Sequence, residues 1–491
     1  MASTSTPRSR IHLENDSPVD PSGRFVLYWM TAARRTQFNF SLQRAVDLSV
    51  ELKKPLVVLE ALRVDYPDAS DRLHAFVLQG MRDNARAVGA SRAFYYPYVE
   101  PTRGAGRGLL KELSREAAAI VTDWFPAFFL PRMIRAAALQ SHVRLESVDA
   151  NGLIPVAEHA RAFPTARGYR AFVQRHLREH LSAFPLESPL EFLEHGPVAP
   201  SRTILERWPP TAVDEPPERL LAGLPINHSV GPVDARGGSV PAKERMRDFL
   251  SRKLVRYATE GNDPDADCTS RLSPYLHFGH ISSHEIFAAL MTHEGWTTRK
   301  SGSGRAGARE GWWNVSPGAD RFLDQLVVWR ELAFNGCAWV PSFHSYETLP
   351  GWARATLDAH LEDPRPEVYS RDQLEQAATG DPVWNAAQNE LRATGWFHGY
   401  MRMVWGKKML EWCDHPREAL AWMEALMNRY SLDGRDPVSY LNYGWVLGRY
   451  DRPWFERPIF GTVRCMTTGS AKRKLRMKNY LARFSAPDKL F

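Results

Sequence analysis

Residues Asp381–Trp412 read DPVWNAAQNELRATGWFHGYMRMVWGKKMLEW. The apolar positions recur at helical spacing on both sides of Gly395, and a glycine just past a periodic run ends a helix. The stretch therefore predicts two helices joined at Gly395. Trp405 and Trp412 are seven residues apart, so on one helix they share a face. Trp384 lies before the break and must reach them from the neighbouring helix. A tryptophan stripe at this spacing reads first as core packing, because the indole is large and mostly apolar.

Outward from this stretch, the chain from Ala242 onward is almost wholly helical in pattern, with breaks at Gly and Pro. One exception is Trp296–Gly311, which holds SGSGRAGAREG and predicts a mobile loop. The tryptophans belong to this half: 13 of the 16 lie at or after Trp296, a clustering that a generic aromatic core does not require. Residues 241–491 are expected to form an all-α domain.

The first half alternates instead. Phe25–Met30 (FVLYWM), Leu56–Leu62 (LVVLEAL), Ala93–Tyr96 and Ala119–Asp123 read as buried strands. Phe40–Leu52, Leu73–Val88 and Leu109–Ala118 read as helices between them. Strand alternating with helix implies an α/β, Rossmann-like parallel sheet over residues 23–150. No GxGxxG follows the first strand, and the GAGRG of Gly104–Gly108 opens no dinucleotide fingerprint. Residues 1–22 read as a disordered arm, and the Pro-dense residues 151–240 as a connector.

Composition excludes several classes. The chain has 491 residues, 44% hydrophobic and 24% charged, as globular proteins do. No apolar run reaches the roughly 20 residues that span a bilayer, and the N-terminus has no apolar core of a secretory signal. The four cysteines, Cys268, Cys337, Cys413 and Cys465, are scattered. They predict neither a metal site nor disulfides, and a reducing cytoplasm is the expected setting. The net charge of +7 is compatible with a polyanionic partner such as DNA.

Thr269–Ser283 reads TSRLSPYLHFGHISS. Hydroxyls at Thr269, Ser270 and Ser273 beside Arg271 and Leu272, at a helix start, make an anion site or simply a capped helix without a ligand. Further on, Tyr430–Pro437 reads YSLDGRDP and Glu456–Met466 reads ERPIFGTVRCM. Together with Asp381–Trp412, in this order and spacing, these stretches resemble the photolyase–cryptochrome family, and within it the class II cyclobutane pyrimidine dimer photolyases. The likeness covers most of residues 240–480 and extends more weakly to VLYWMTAARRTQFNFSL in the first half.

The resemblance implies a monomeric, metal-free flavoprotein that repairs damaged double-stranded DNA under blue light. It implies FAD with its pyrophosphate at Thr269–Ser273, and Asp436 among the cofactor-binding residues. It places the ion pair Arg402–Asp433 beside the flavin ring, where a fixed cation stabilises an anionic reduced flavin. Trp405, Trp384 and Trp412 match the family's electron-carrying chain. Met403 and Trp445 correspond to the walls of the pocket for the flipped-out dimer. Glu331, in VVWRELAF, matches a carboxylate that meets it. An antenna chromophore, in this family most often a deazaflavin, is expected in the sheet domain.

The chain also departs from the family. Met427 stands where class II photolyases carry an Asn whose amide meets flavin N5, and Asn428 next door points about 100° away on a helix. Trp329 replaces an Arg, and Phe334 and Gly336 replace Asp and Phe. Met427 therefore keeps a second reading open, a cryptochrome-like photoreceptor that binds FAD without repair. An FAD-binding scaffold with no light role is a third. The basic run Lys472, Arg473, Lys474, Arg476 and Lys478 fits phosphate contacts or a solvated tail.

Overall fold

A computed structural model describes residues 5–300, 302 and 306–485. It comprises two compact units. The first contains Met1–Ala160, Val173–Arg247 and Leu272–Thr298, and the second Arg161–Phe172, Asp248–Arg271 and Arg299–Phe491. The stretch read as a connector is thus divided between them, as is the Thr269–Ser273 motif.

The first unit is built on six strands: β1 (Ile11–Leu13), β2 (Phe25–Met30), β3 (Leu56–Leu62), β4 (Phe94–Val99), β5 (Ala117–Asp123) and β6 (Leu145–Val148). Their order is β1-β6-β5-β2-β3-β4. All neighbours are parallel except β1, which runs antiparallel to β6. Every residue of β2 is buried, because helices cover both faces of a parallel sheet. Its side chains alternate between two cores. Val26, Tyr28 and Met30 pack with Phe40, Leu42 and Val46 of the helix Phe40–Leu52. Phe25, Leu27 and Trp29 pack with Leu109 and Leu113 of the helix Leu109–Glu116.

The strand order reverses between β2 and β5, the place where such sheets usually take a ligand. Here a side chain occupies it. The buried Asp123, at the end of β5, accepts the backbone N–H groups of Thr31, Ala32 and Ala33 at 2.7, 2.8 and 2.9 Å and the Tyr28 hydroxyl at 2.7 Å. This explains a Rossmann-like sheet without a dinucleotide fingerprint.

Two expectations are corrected. Arg8–Leu13, placed in a disordered arm, forms a short 3-10 turn followed by β1. Arg10 holds it: the residue is 1% exposed, and its guanidinium donates to the carbonyls of Asp149, Gly152 and Leu153. Residues 1–4 of that arm lie outside the described residues, as do 301 and 303–305 of the Trp296–Gly311 loop. The third strand runs past Tyr96 to Val99 despite Pro97. It is an edge strand, where a missing N–H costs nothing. The later chain covers that edge: Thr211 donates its N–H to the Pro97 carbonyl at 2.8 Å.

Apart from one isolated bridge, Arg457 to Gly461, the regular structure in the described part of the second unit is helical. The helix Gly399–Trp412 packs against Pro382–Thr394, Pro416–Tyr430 and Pro437–Val446, and the last of these packs on Arg330–Trp339. A π-helical turn over Asp324–Trp329 leads into Arg330–Trp339 and sets its phase. No described helix is long and apolar enough to cross a membrane.

Candidate functional site

The helix Pro382–Thr394 starts at Asp381, whose carboxylate accepts the N–H groups of Val383 and Trp384, and ends at Gly395 with φ +68°. The helix Gly399–Trp412 starts at His398, whose ring accepts the Tyr400 N–H. These two caps bring the three indoles together. Trp384 stacks on Trp405 with centroids 6.2 Å apart and planes 6° from parallel. Its other side meets Trp412 edge-on at 5.4 Å. The spatial order is therefore Trp405, Trp384, Trp412, with the residue from the neighbouring helix in the middle. All three are buried. Trp405 donates its indole N–H to Gln388 Oε1 at 3.0 Å, and Trp384 donates to the Trp405 carbonyl at 3.0 Å.

The row continues to a residue that sequence reasoning missed. Tyr369 lies 4.9 Å from Trp412 at 77°, half-buried. Its hydroxyl donates to Glu367 Oε2 at 2.6 Å and accepts the Gly380 N–H at 2.8 Å. It sits in an irregular segment before the helix Arg371–Glu375, where no periodicity could mark it.

Arg402 follows one turn from the start of the same helix as Trp405. Its Nη2 lies 3.6 Å from Asp433 Oδ1, with both side chains nearly buried. The Ser431 hydroxyl donates to Asp433 at 2.6 Å and orients it. The turn Ser431–Asp436 folds back so tightly that a Cβ on Gly434 would stand 2.3 Å from the Met427 carbonyl oxygen. Met427 itself is 0% exposed, in the last turn of the helix Pro416–Tyr430. Asp436 caps the helix Pro437–Val446, accepting the Val438 N–H at 2.8 Å.

Thr269, Ser270 and Arg271 are half-buried in the second unit, and Arg271 adopts φ +51°, a strained value for a non-glycine residue. Its guanidinium pairs with Asp267 at 2.9 Å and covers the Trp396 ring at 4.7 Å. Leu272 precedes the five-residue helix Ser273–His277, of which Ser273 is the first residue rather than a preceding cap. Buried polar atoms lacking a partner among the described residues include Thr269 Oγ1, Arg271 Nε and Arg402 Nε. Unmet donors of this kind cost free energy unless something else fills them. A hydroxyl and two guanidinium nitrogens left over in this way fit an anionic ligand such as a phosphate-bearing cofactor.

Glu331 is buried in the first turn of Arg330–Trp339, with the Tyr169 hydroxyl 3.5 Å from its Oε2. Neighbouring Arg330 lies over the Phe334 ring at 4.6 Å. Met403 and Trp445 are half-buried on the two packed helices Gly399–Trp412 and Pro437–Val446. Beyond Trp445 lies a cationic and aromatic surface that sequence reasoning also missed. Phe455 is 89% exposed and Trp454 38%, and Arg452 and Arg464 cover Trp454 at 5.4 and 4.1 Å. Its signal in the sequence is the interleaving of Arg, Trp and Phe over Arg452–Arg457.

An α/β unit without a dinucleotide motif, with a helical unit carrying a row of buried indoles, is the architecture to be placed. No family model matches the chain. It is 35% identical over 478 residues to the deoxyribodipyrimidine photo-lyase of Methanothermobacter thermautotrophicus, across 96% of this chain and 97% of that one. It is 34% identical to the deoxyribodipyrimidine photo-lyase of Oryza sativa subsp. japonica, across 96% and 90%. The crystal structure of a bacterial class III photolyase from Agrobacterium tumefaciens shares the fold, with a TM-score of 0.65 and 16% identity over 94% of this chain and 86% of that one. The chain belongs to the photolyase–cryptochrome family.

Proposed function

We propose that this chain is a class II-like deoxyribodipyrimidine photolyase, which holds FAD in its helical unit and uses blue light to split cyclobutane pyrimidine dimers in double-stranded DNA. The observation that carries this reading is the continuous row Trp405, Trp384, Trp412, which begins three residues from the buried Arg402 with its unmet donor. FAD, when bound, supplies light-driven electron donation to the dimer.

This chain's own residues do the rest. Thr269, Ser270 and Ser273 offer hydroxyls to the pyrophosphate, with the Leu272 backbone between them. Arg402 holds positive charge at the ring, and Asp433 keeps the guanidinium in place. The indoles pass electrons inward, since each is within contact distance of the next. Glu331 offers a hydrogen bond where charge develops on a pyrimidine carbonyl, and Met403 and Trp445 wall the pocket. Arg452, Arg464 and the exposed rings of Trp454 and Phe455 suit the phosphates and the gap left by an extruded dimer. A second chromophore is proposed at the carboxyl ends of β2, β3 and β4, in the cavity lined by Trp29, Arg63, Tyr98 and Met133.

Met427 favours one alternative, a receptor that takes up FAD without repair, because a thioether donates no hydrogen bond to a ring nitrogen. One assay separates the two. The purified protein is photoreduced and given dimer-containing oligonucleotide under blue light. Regained thymine absorbance is the expected result. Photoreduction without repair supports the receptor, and a colourless protein that takes up no FAD overturns both.

A further inference from the structure

Lys407 is 0% exposed. An ammonium group taken out of water is costly unless it is paired and hydrogen-bonded. Its partners are few and all point one way. Nζ donates to the Val446 carbonyl at 2.5 Å, and it lies 5.3 Å above the ring of Trp445, the residue before. The two helices that carry these residues approach closely at Gly406, where a Cβ would stand 2.7 Å from Val446 Cγ2. The lysine is therefore locked in register against the Trp445–Val446 peptide. The charged and titratable neighbours are Asp451, Arg464 and Cys465. Arg464 lies over the Trp445 ring at 5.4 Å and is paired with Asp451 at 3.0 Å, so that carboxylate is already engaged.

We infer that Lys407 is a positioning residue, whose buried amine fastens the Trp445 wall of the proposed lesion pocket through the Val446 carbonyl and the indole face. This rests on the reading of Trp445 given above. The hold depends on charge, because a neutral amine offers the ring no cation and the carbonyl a weaker donor. Burial lowers the Lys407 pKa to about 7. The charged form therefore prevails below that pH and is lost above it.

The test uses the full chain in the dark, with a dimer-containing duplex and the matching undamaged duplex, between pH 6 and 8.5 at fixed ionic strength. The dimer duplex is expected to bind roughly three- to tenfold more weakly above the transition, the scale of one partly buried cation–ring contact. The undamaged duplex is expected to show no such step. Lys407→Met is expected to bind the dimer duplex as the wild type does at high pH, at every pH. A pH step that survives in Lys407→Met overturns the inference. Should that variant not fold, the difference in tryptophan fluorescence between wild type and Trp445→Phe is titrated instead. A change centred near pH 7 supports the inference, and a flat difference overturns it. If Trp445→Ala binds the dimer duplex as tightly as wild type, the pocket-wall reading fails, while the fluorescence titration still reports on the lysine and the indole.

Discussion

Trp405 is held on three sides: stacked on Trp384, edge-on to Phe397 at 5.6 Å and bonded to Gln388. Phenylalanine keeps most of that packing but is far harder to oxidise. Trp405→Phe is therefore expected to abolish photoreduction while FAD stays bound, as read by bleaching of the flavin absorbance under blue light with a reductant present. A second side chain of this unit makes stability depend on pH. Burial raises the Glu390 pKa from 4.5 to about 7, against the hydrogen bonds from Tyr480 and His398 that favour the carboxylate. The folded state therefore binds a proton that the unfolded chain gives up at about 4.5. This stabilisation is complete below pH 4.5 and lost as pH rises to about 7. Glu390→Gln is neutral at every pH, so it is expected to match the wild type near pH 4.5 and to exceed it by about 1–3 kcal/mol at pH 8, in denaturant titrations at the two values. Neither Glu390 nor Lys407 could be picked out beforehand, since a charged residue on a helix is normally solvated and only tertiary packing buries it.

Among the elements, those with a strong local signal are legible and those defined by distant partners are not. Helix Phe40–Leu52 is legible to the residue, because Asn39 caps its start and Lys53 leaves the helix at φ +53° beside Pro55. Strands β1 and β6 are invisible in the sequence. The first has three residues, and the second carries Glu146, buried only because Arg44 on a helix far back in the chain pairs with it at 2.7 Å. The helix Lys478–Phe484 is a similar case. It reads as part of a basic tail, yet Asp265 accepts the N–H groups of Asn479 and Tyr480, Asn389 donates to the Phe484 carbonyl, and Tyr480 donates to Glu390 at 2.9 Å. The C-terminal helix thus clasps the loop just before Thr269. Tyr480→Phe is expected to cost about 1–2 kcal/mol, the scale of one buried hydrogen bond, measured by the midpoint of urea unfolding. The indole row is legible as membership but not as order, since nothing in the spacing says that Trp384 lies between the other two.

For the molecule as a whole, the excess of 63 basic over 56 acidic residues leaves the sign of the partner open, and the arrangement of the cations matters more. Lys472, Arg473 and Lys474 are exposed on the last turns of a short helix. If they meet phosphates, replacing all three with Gln lowers the slope of log affinity against log salt by up to about 0.9 for each phosphate no longer neutralised, with undamaged duplex as ligand. An unchanged slope assigns them to a solvated surface. The carboxylate at the end of β5 has a further effect at this scale. A sheet of this topology is a natural dock for adenosine phosphates, which any cell holds in plenty. With the N–H groups of Thr31, Ala32 and Ala33 already given to Asp123, the crossing between β2 and β5 has no such donors left for an incoming phosphate. A guest of the first unit has to settle along the neighbouring strand ends instead.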